Sequence, residues 1–153
     1  MPRSDHCPHC GKELQGPRNP LPTVDIIIAC AGRGLVLVKR RFAPLGWALP
    51  GGFVDYGESV EAAAKREAFE ETNLSLTDLQ LFGVYSDPKR DPRRHTISTV
   101  FTAMALEPDQ LRGGDDAAEA RFFQLSGLPD NLAFDHAGIV RDFSRRSAKS
   151  FGI

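Results

Sequence analysis

Glu67, Glu70 and Glu71 are three carboxylates at positions i, i+3 and i+4 within GFVDYGESVEAAAKREAFEETNL, residues 52–74. On a helix these positions lie at 0°, about 300° and about 40° around the axis, so all three acids share one stripe. Three anions held this close repel one another, and nothing in a stability argument asks for them. A divalent cation removes the repulsion. Clustered hard oxygen ligands suit Mg²⁺ or Mn²⁺, ions that usually sit beside substrate phosphates. The competing reading is a solvated acidic face, and the flanking residues weigh against it.

Those residues describe the element that must carry the acids. Ser59 can cap a helix N-terminus, and Glu58 can complement the positive end of its dipole. The helix is expected to run from Val60 through the alanine-rich centre to about Thr72, because alanine is the best helix former. Asn73 follows, where a left-handed residue commonly ends a helix. Phe69 and Ala62 are expected to point toward a core, opposite the glutamates. Ala63 and Ala64 would lie on the glutamate stripe one turn earlier and leave room for ions or ligand. Arg66 can orient a neighbouring carboxylate as a forked donor.

Residues 52–74 resemble the Nudix box, G-x5-E-x7-R-E-U-x-E-E-x-G-U with U aliphatic. Gly52, Glu58, Arg66, Glu67, Glu70 and Glu71 match at the right spacing, with Ala68 and Leu74 at two U positions. The single departure is Asn73 in place of the second glycine. The resemblance implies an α/β fold, an α/β/α sandwich with a mixed β-sheet between helices. It implies Mg²⁺- or Mn²⁺-dependent hydrolysis of a nucleoside diphosphate linked to another group. It also implies Glu67, Glu70 and Glu71 as metal ligands, joined by a backbone carbonyl near Gly51–Gly52, with Glu58 and Arg66 holding the ligands in place. For the general base it leaves Asp116 and Glu119, in an acidic loop expected over 113–119, alongside Glu67.

Outside the box, SDPKRDPRRHTIS, GDDAAEARFF and LAFDHAGIVRDF are similar to bacterial and archaeal ADP-ribose pyrophosphatases of the same superfamily. This similarity covers most of residues 22–145 and implies ADP-ribose as substrate, with AMP and ribose 5-phosphate as products. Such enzymes are often homodimers. NADH pyrophosphatases rank second: they share a C-x-x-C knuckle but carry S-Q-P-W-P-F-P-x-S where this chain has SDPKRDPRR. A nucleotide-sanitising hydrolase and a non-enzymatic ADP-ribose sensor are further alternatives. Sensors usually add a DNA-binding domain and lose box glutamates, whereas here the glutamates are intact and 153 residues are expected to leave no room for a winged helix.

The remaining chain frames this site. Its 153 residues suffice for one domain with a real core, and a net charge of −1 gives no support for non-specific nucleic-acid binding. No apolar run approaches the roughly 18 residues a bilayer span needs, and no signal peptide is recognisable, so a cytoplasmic protein without membrane partners is expected. Residues 1–22 read as a separate element before a catalytic domain over 23–153. There Cys7 and Cys10 resemble one knuckle of a zinc ribbon, for which His6, His9, Cys30 or a second subunit would have to supply further Zn²⁺ ligands. Pro17, Pro20 and Pro22 would make a stiff connector.

Strands are expected at Val24–Ala29 and Leu35–Val38, joined as a hairpin through Gly32-Arg33-Gly34, then at Leu79–Tyr85, Thr96–Ala105 and Arg121–Gln124. A helix is expected over Asp135–Arg146. Between strands, Tyr85–His95 reads as a polar loop too charged for the core. Its Arg90, Arg93 and Arg94 are candidates to clamp phosphates or a sugar, and Arg40 and Arg41 to contact the diphosphate. Phe42 and Trp47 are candidates to stack on adenine, although core packing suits Trp47 better. His136 can act on ribose or cap the last helix, with Asp135 the better cap; His95 reads as structural.

Overall fold

In a computed structural model that describes residues 9–12, 19–114, 116–146 and 148–152, the apolar VDIIIA run becomes the middle of strand β1, Leu21–Cys30. Successive side chains of a strand point to opposite faces, so a run apolar at consecutive positions, as Ile26–Ala29 is, must be covered on both sides. Val24, Ile26 and Ile28 pack with Ala63, Ala64 and Ala68 of helix α1, Val60–Thr72. Ile27 and Ala29 pack with Ile139, Val140 and Phe143 of helix α2, His136–Arg146. The sheet between them is mixed. This is the α/β/α sandwich implied by the Nudix resemblance.

The remaining strands are β2 (Gly34–Arg40), β3 (Trp47–Ala48), β4 (Gly51–Phe53), β5 (Leu76–Tyr85), β6 (Thr96–Ala105) and β7 (Ala117–Phe123). The order runs β3-β2-β1-β6-β5, with β4 on β1 and β7 on β2. β1 and β6 are parallel over Leu21–Ala29, and the expected hairpin pairs Ala29 with Leu35. On its other edge β1 pairs with β2 only at Ala29 and Cys30, and with β4 at Thr23, Val24 and Asp25. The sheet therefore opens between β2 and β4, and the cleft described below lies there.

The helix carrying the glutamates begins and ends as its sequence indicates. Ser59 Oγ accepts the Ala62 N–H at 3.2 Å, and Asn73 takes the left-handed conformation at φ 58°. Its faces differ from expectation. Phe69 and Ala62 are exposed, and the side chains facing the sheet are Ala63, Ala64 and Ala68, with Glu71 and Thr72. Small residues let the helix axis approach the strands, which brings glutamate carboxylates against β4 backbone. α2 shows the opposite economy: Ile139, Val140 and Phe143 are fully or almost fully buried, each contributing roughly 1.5–3 kcal/mol.

Two further expectations change. Pro22 is no connector residue, since it lies in β1 opposite Ile97 and its carbonyl accepts the Val54 N–H at 3.2 Å. Nor is the 85–95 segment wholly solvated, because Arg90 and Asp91 are buried at 7% and 6% exposure. No helix among the described residues is long and apolar enough to cross a membrane.

Candidate active site

The gap between β2 and β4 opens a cleft of about 340 Å³, walled by α1, the 90–93 turn and the start of α2. That volume falls in the range of small-ligand pockets. Glu67, Glu70 and Glu71 all line it, as do Arg40, Arg41, Arg93 and Asp116.

The three glutamates occupy different depths. Glu71 is the deepest, 8% exposed, and its Oε2 accepts the Gly51 N–H at 2.9 Å. Burial, reinforced by the neighbouring Glu67 charge, pushes its pKa up to about 8, although the Gly51 hydrogen bond and Arg40 act the other way. Glu67 lies against Gly52, where any Cβ would overlap its carboxylate, so only glycine lets the acid rest on the backbone. Gly51 is held more firmly still, because a Cβ there would run into the backbone carbonyl of Val24. Glu70 sits at the rim with 41% of its side chain exposed.

Arg66 organises this arrangement. Its Nε and one terminal nitrogen each donate to Glu58 at 2.9 Å, and that nitrogen also donates to the Phe53 carbonyl at 3.0 Å. The other terminal nitrogen donates to Glu67 at 2.8 Å and to Glu70 at 3.1 Å. Glu67 and Glu70 thus turn toward the guanidinium while Glu71 turns toward Gly51. Among the described residues no three acidic, histidine or cysteine groups form a ready-made metal cluster. The donor set still fits a hard divalent cation. A buried carboxylate reluctant to lose its proton stands beside a second carboxylate, both on an open cleft, and Mg²⁺ needs only one or two carboxylates because it keeps several waters.

The cationic residues divide. Arg40 and Arg93 stand 4.7 Å and 5.2 Å from the ring centre of Phe134, which also lines the cleft. Arg40 Nε donates to the Pro44 carbonyl at 2.7 Å, and Arg93 is held by Asp91 at 2.8 Å. Arg90 departs from its expected role as a solvated clamp. It touches the cleft floor, but its side chain is 4% exposed and donates to Asp25, Asp135 and Thr96. Arg94 stacks over Phe53 at 5.5 Å and is absent from the cleft lining.

Among the proton acceptors, Asp116 lines the cleft, whereas Glu119 lies within β7, paired with Arg121, and not in the acidic loop expected there. Phe42 reaches the cleft and is 61% exposed; Trp47 packs edge-on against Phe123 at 4.8 Å. Cys7 lies outside the described residues, and Cys10 is an exposed free thiol.

Sequence reasoning missed two features. Asp25 sits inside the buried β1 run and accepts from Ser98 Oγ at 2.5 Å, Arg90 at 3.0 Å and His136 Nε2 at 3.2 Å. Burial alone would raise its pKa, but these partners overcome it and hold the carboxyl well below the usual carboxylate range. The signal was present: an ionisable residue within an apolar strand run must have partners. Phe134 is the second, a non-glycine residue in the left-handed region at φ 56°. Such a conformation costs about 1 kcal/mol or more, and nothing in the sequence announces it.

Comparison with known proteins places these features in context. The NUDIX domain family model matches residues 19–143. The chain is 48% identical over 129 residues to the ADP-ribose pyrophosphatase of Methanocaldococcus jannaschii, covering 83% of this chain and 75% of that protein. The fold matches a MutT/nudix family protein from Enterococcus faecalis with a TM-score of 0.74 and 31% identity, over 88% of this chain and 64% of that one. It also matches the NUDIX domain of Shewanella oneidensis NrtR complexed with ADP ribose, with a TM-score of 0.74 and 26% identity, over 84% of this chain and 89% of that one.

Proposed function

The chain belongs to the NUDIX domain family, and we propose that within it the protein is a hydrolase that cleaves the diphosphate of ADP-ribose to AMP and ribose 5-phosphate. The observation that carries this reading is the cleft itself: carboxylates from α1 face guanidinium groups across a space of nucleotide-fragment size. The 48% identity to an ADP-ribose pyrophosphatase supports the choice of substrate.

Glu67 and Glu71 are the first-choice ligands for Mg²⁺ or Mn²⁺, with Glu70 at the rim and the backbone at Gly51–Gly52 as further donors. A divalent cation bound there supplies neutralisation of diphosphate oxygens and acidifies a water. The chain's own residues do the rest. Arg66, anchored by Glu58 and Phe53, keeps Glu67 and Glu70 in fixed orientation. Arg40 and Arg41 attract the diphosphate, and Arg93 with Phe134 offers a charged aromatic wall. Asp116 is better placed than Glu119 to take a proton from the attacking water, because it lines the cleft and Glu119 is tied to Arg121. Glu67 is the other candidate base. Phe42 is the aromatic surface open to adenine.

A sensor would keep the cleft and bind ADP-ribose without turnover, and the match to an ADP-ribose-bound NUDIX domain keeps that reading in view. One experiment separates the cases: incubation with ADP-ribose, NADH and 8-oxo-dGTP, each with Mg²⁺ and then with EDTA. Magnesium-dependent AMP release, fastest from ADP-ribose, is the expected result. Faster turnover of NADH reverses the substrate ranking, and tight binding of uncleaved ADP-ribose establishes the sensor.

A further inference from the structure

Beneath the cleft a buried polar bridge links α2 to the glycine segment that faces Glu71, and none of the steps above uses it. His136, the first residue of α2, is 2% exposed. Its Nδ1 accepts the Leu49 N–H at 2.9 Å. A ring nitrogen that accepts carries no proton, so the imidazole is neutral with its N–H at Nε2. Nε2 lies 3.2 Å from Asp25 Oδ1. The other Asp25 oxygen is held by Ser98 and Arg90, and Arg90 in turn grips Asp135, the residue preceding His136. The imidazole therefore has little freedom to rotate.

Leu49 is followed by Pro50, whose carbonyl accepts the Ile26 N–H at 2.8 Å, and by Gly51, whose N–H goes to Glu71 at 2.9 Å. Three successive residues are thus pinned from three directions: by α2, by β1 and by the deepest glutamate. Of these three, the His136 pin alone reaches in from the opposite layer of the sandwich. We propose that His136 is a positioning residue for the metal site: it fixes Leu49–Gly52 so that the Gly51 amide and the adjoining backbone meet Glu67 and Glu71 in the arrangement a divalent cation requires. This inference rests on reading the cleft as a divalent-cation site.

Two substitutions divide the imidazole's contacts. His136→Asn keeps an acceptor where Nδ1 stood and gives up the contact to Asp25. His136→Gln keeps a donor toward Asp25 and gives up the acceptor for Leu49. Mn²⁺ binding to the substrate-free protein is measured by the electron paramagnetic resonance of free Mn²⁺, beside melting temperature, kcat and KM. His136→Gln is expected to weaken Mn²⁺ binding about tenfold or more, and His136→Asn to stay near wild type. At saturating metal the KM for ADP-ribose should change little in either. Unchanged Mn²⁺ binding in His136→Gln overturns the proposal, as does a parallel loss in both variants that follows their melting temperatures. If His136→Gln does not fold, His136→Ala removes the same acceptor for the Leu49 N–H with a smaller side chain: weaker Mn²⁺ binding is expected, and wild-type binding overturns the proposal. Failure of the wild type to bind Mn²⁺ at all overturns the metal site itself, and this inference with it.

Discussion

Replacing Glu71 by glutamine should make the metal-free protein more stable while abolishing its activity. The carboxyl is buried and has a second carboxylate beside it, so its pKa stands near 8 against an ordinary 4.5. The folded state therefore keeps a proton that the unfolded chain releases. The corresponding contribution is fully present below pH 4.5, declines as pH rises, and is gone once pH passes 8. At 1.36 kcal/mol per tenfold change in proton affinity the ceiling is about 5 kcal/mol, and water entering the open cleft reduces it to roughly 3 kcal/mol. Glutamine imitates the protonated acid and can still accept the Gly51 N–H. Glu71→Gln should thus melt roughly 10 °C above wild type at pH 9 in EDTA, and at the same temperature at pH 4.5. The difference between the two proteins isolates this carboxyl from every other titrating group. Added Mg²⁺ should raise the melting temperature of wild type and leave the variant unmoved, and turnover of the variant should fall more than about 100-fold. A variant less stable than wild type at pH 9, or one with wild-type turnover at limiting Mg²⁺, would refute this reasoning.

Arg66→Lys should lower kcat about 10- to 100-fold with a modest change in KM, because an ammonium cannot span Glu58, Glu67, Glu70 and the Phe53 carbonyl as the fork does; steady-state kinetics beside a melting curve checks this. Asn73→Gly, which restores the family's glycine, should leave kcat unchanged and shift stability by no more than about 1 kcal/mol. The glycine relaxes the left-handed cap but loses the amide's contacts to the Gln110 carbonyl and to Arg112, at 3.1 Å and 3.0 Å. In acid the sign of the pH dependence reverses. Asp25 and Asp91 have depressed pKa values, so the stability they confer is present above the ordinary carboxylate range and is lost as pH falls below it. Urea midpoints between pH 6 and pH 3 should fall for wild type, and fall less for Asp91→Asn.

The box helix was readable because its ends carry their own chemistry: Ser59 caps one and Asn73 turns out of the other, each acting within a few residues. Its faces were not readable. Hydrophobicity sends Phe69 inward, yet the site needs small residues against the sheet so that Glu67 and Glu71 can reach β4, and close approach outweighs the burial of one ring. β1 and β6 stand out as β-branched runs, while β3 and β4 are two and three residues long, too short for any period to show. Arg90 was misread for a different reason. A basic loop looks solvated unless its partners are known, and they lie 65 and 45 residues away at Asp25 and Asp135. Local chemistry was legible in the sequence; ion pairs assembled by tertiary contact were not, and the Phe134 backbone had no local cause to read.

The most direct test of the account is anomalous scattering from a crystal grown with Mn²⁺. A peak beside the carboxylates of Glu67 and Glu71, within bonding reach of the Gly51–Gly52 backbone, is the predicted result. Manganese bound elsewhere, with Glu67 and Glu70 still closed on Arg66 and the cleft holding none, would contradict it.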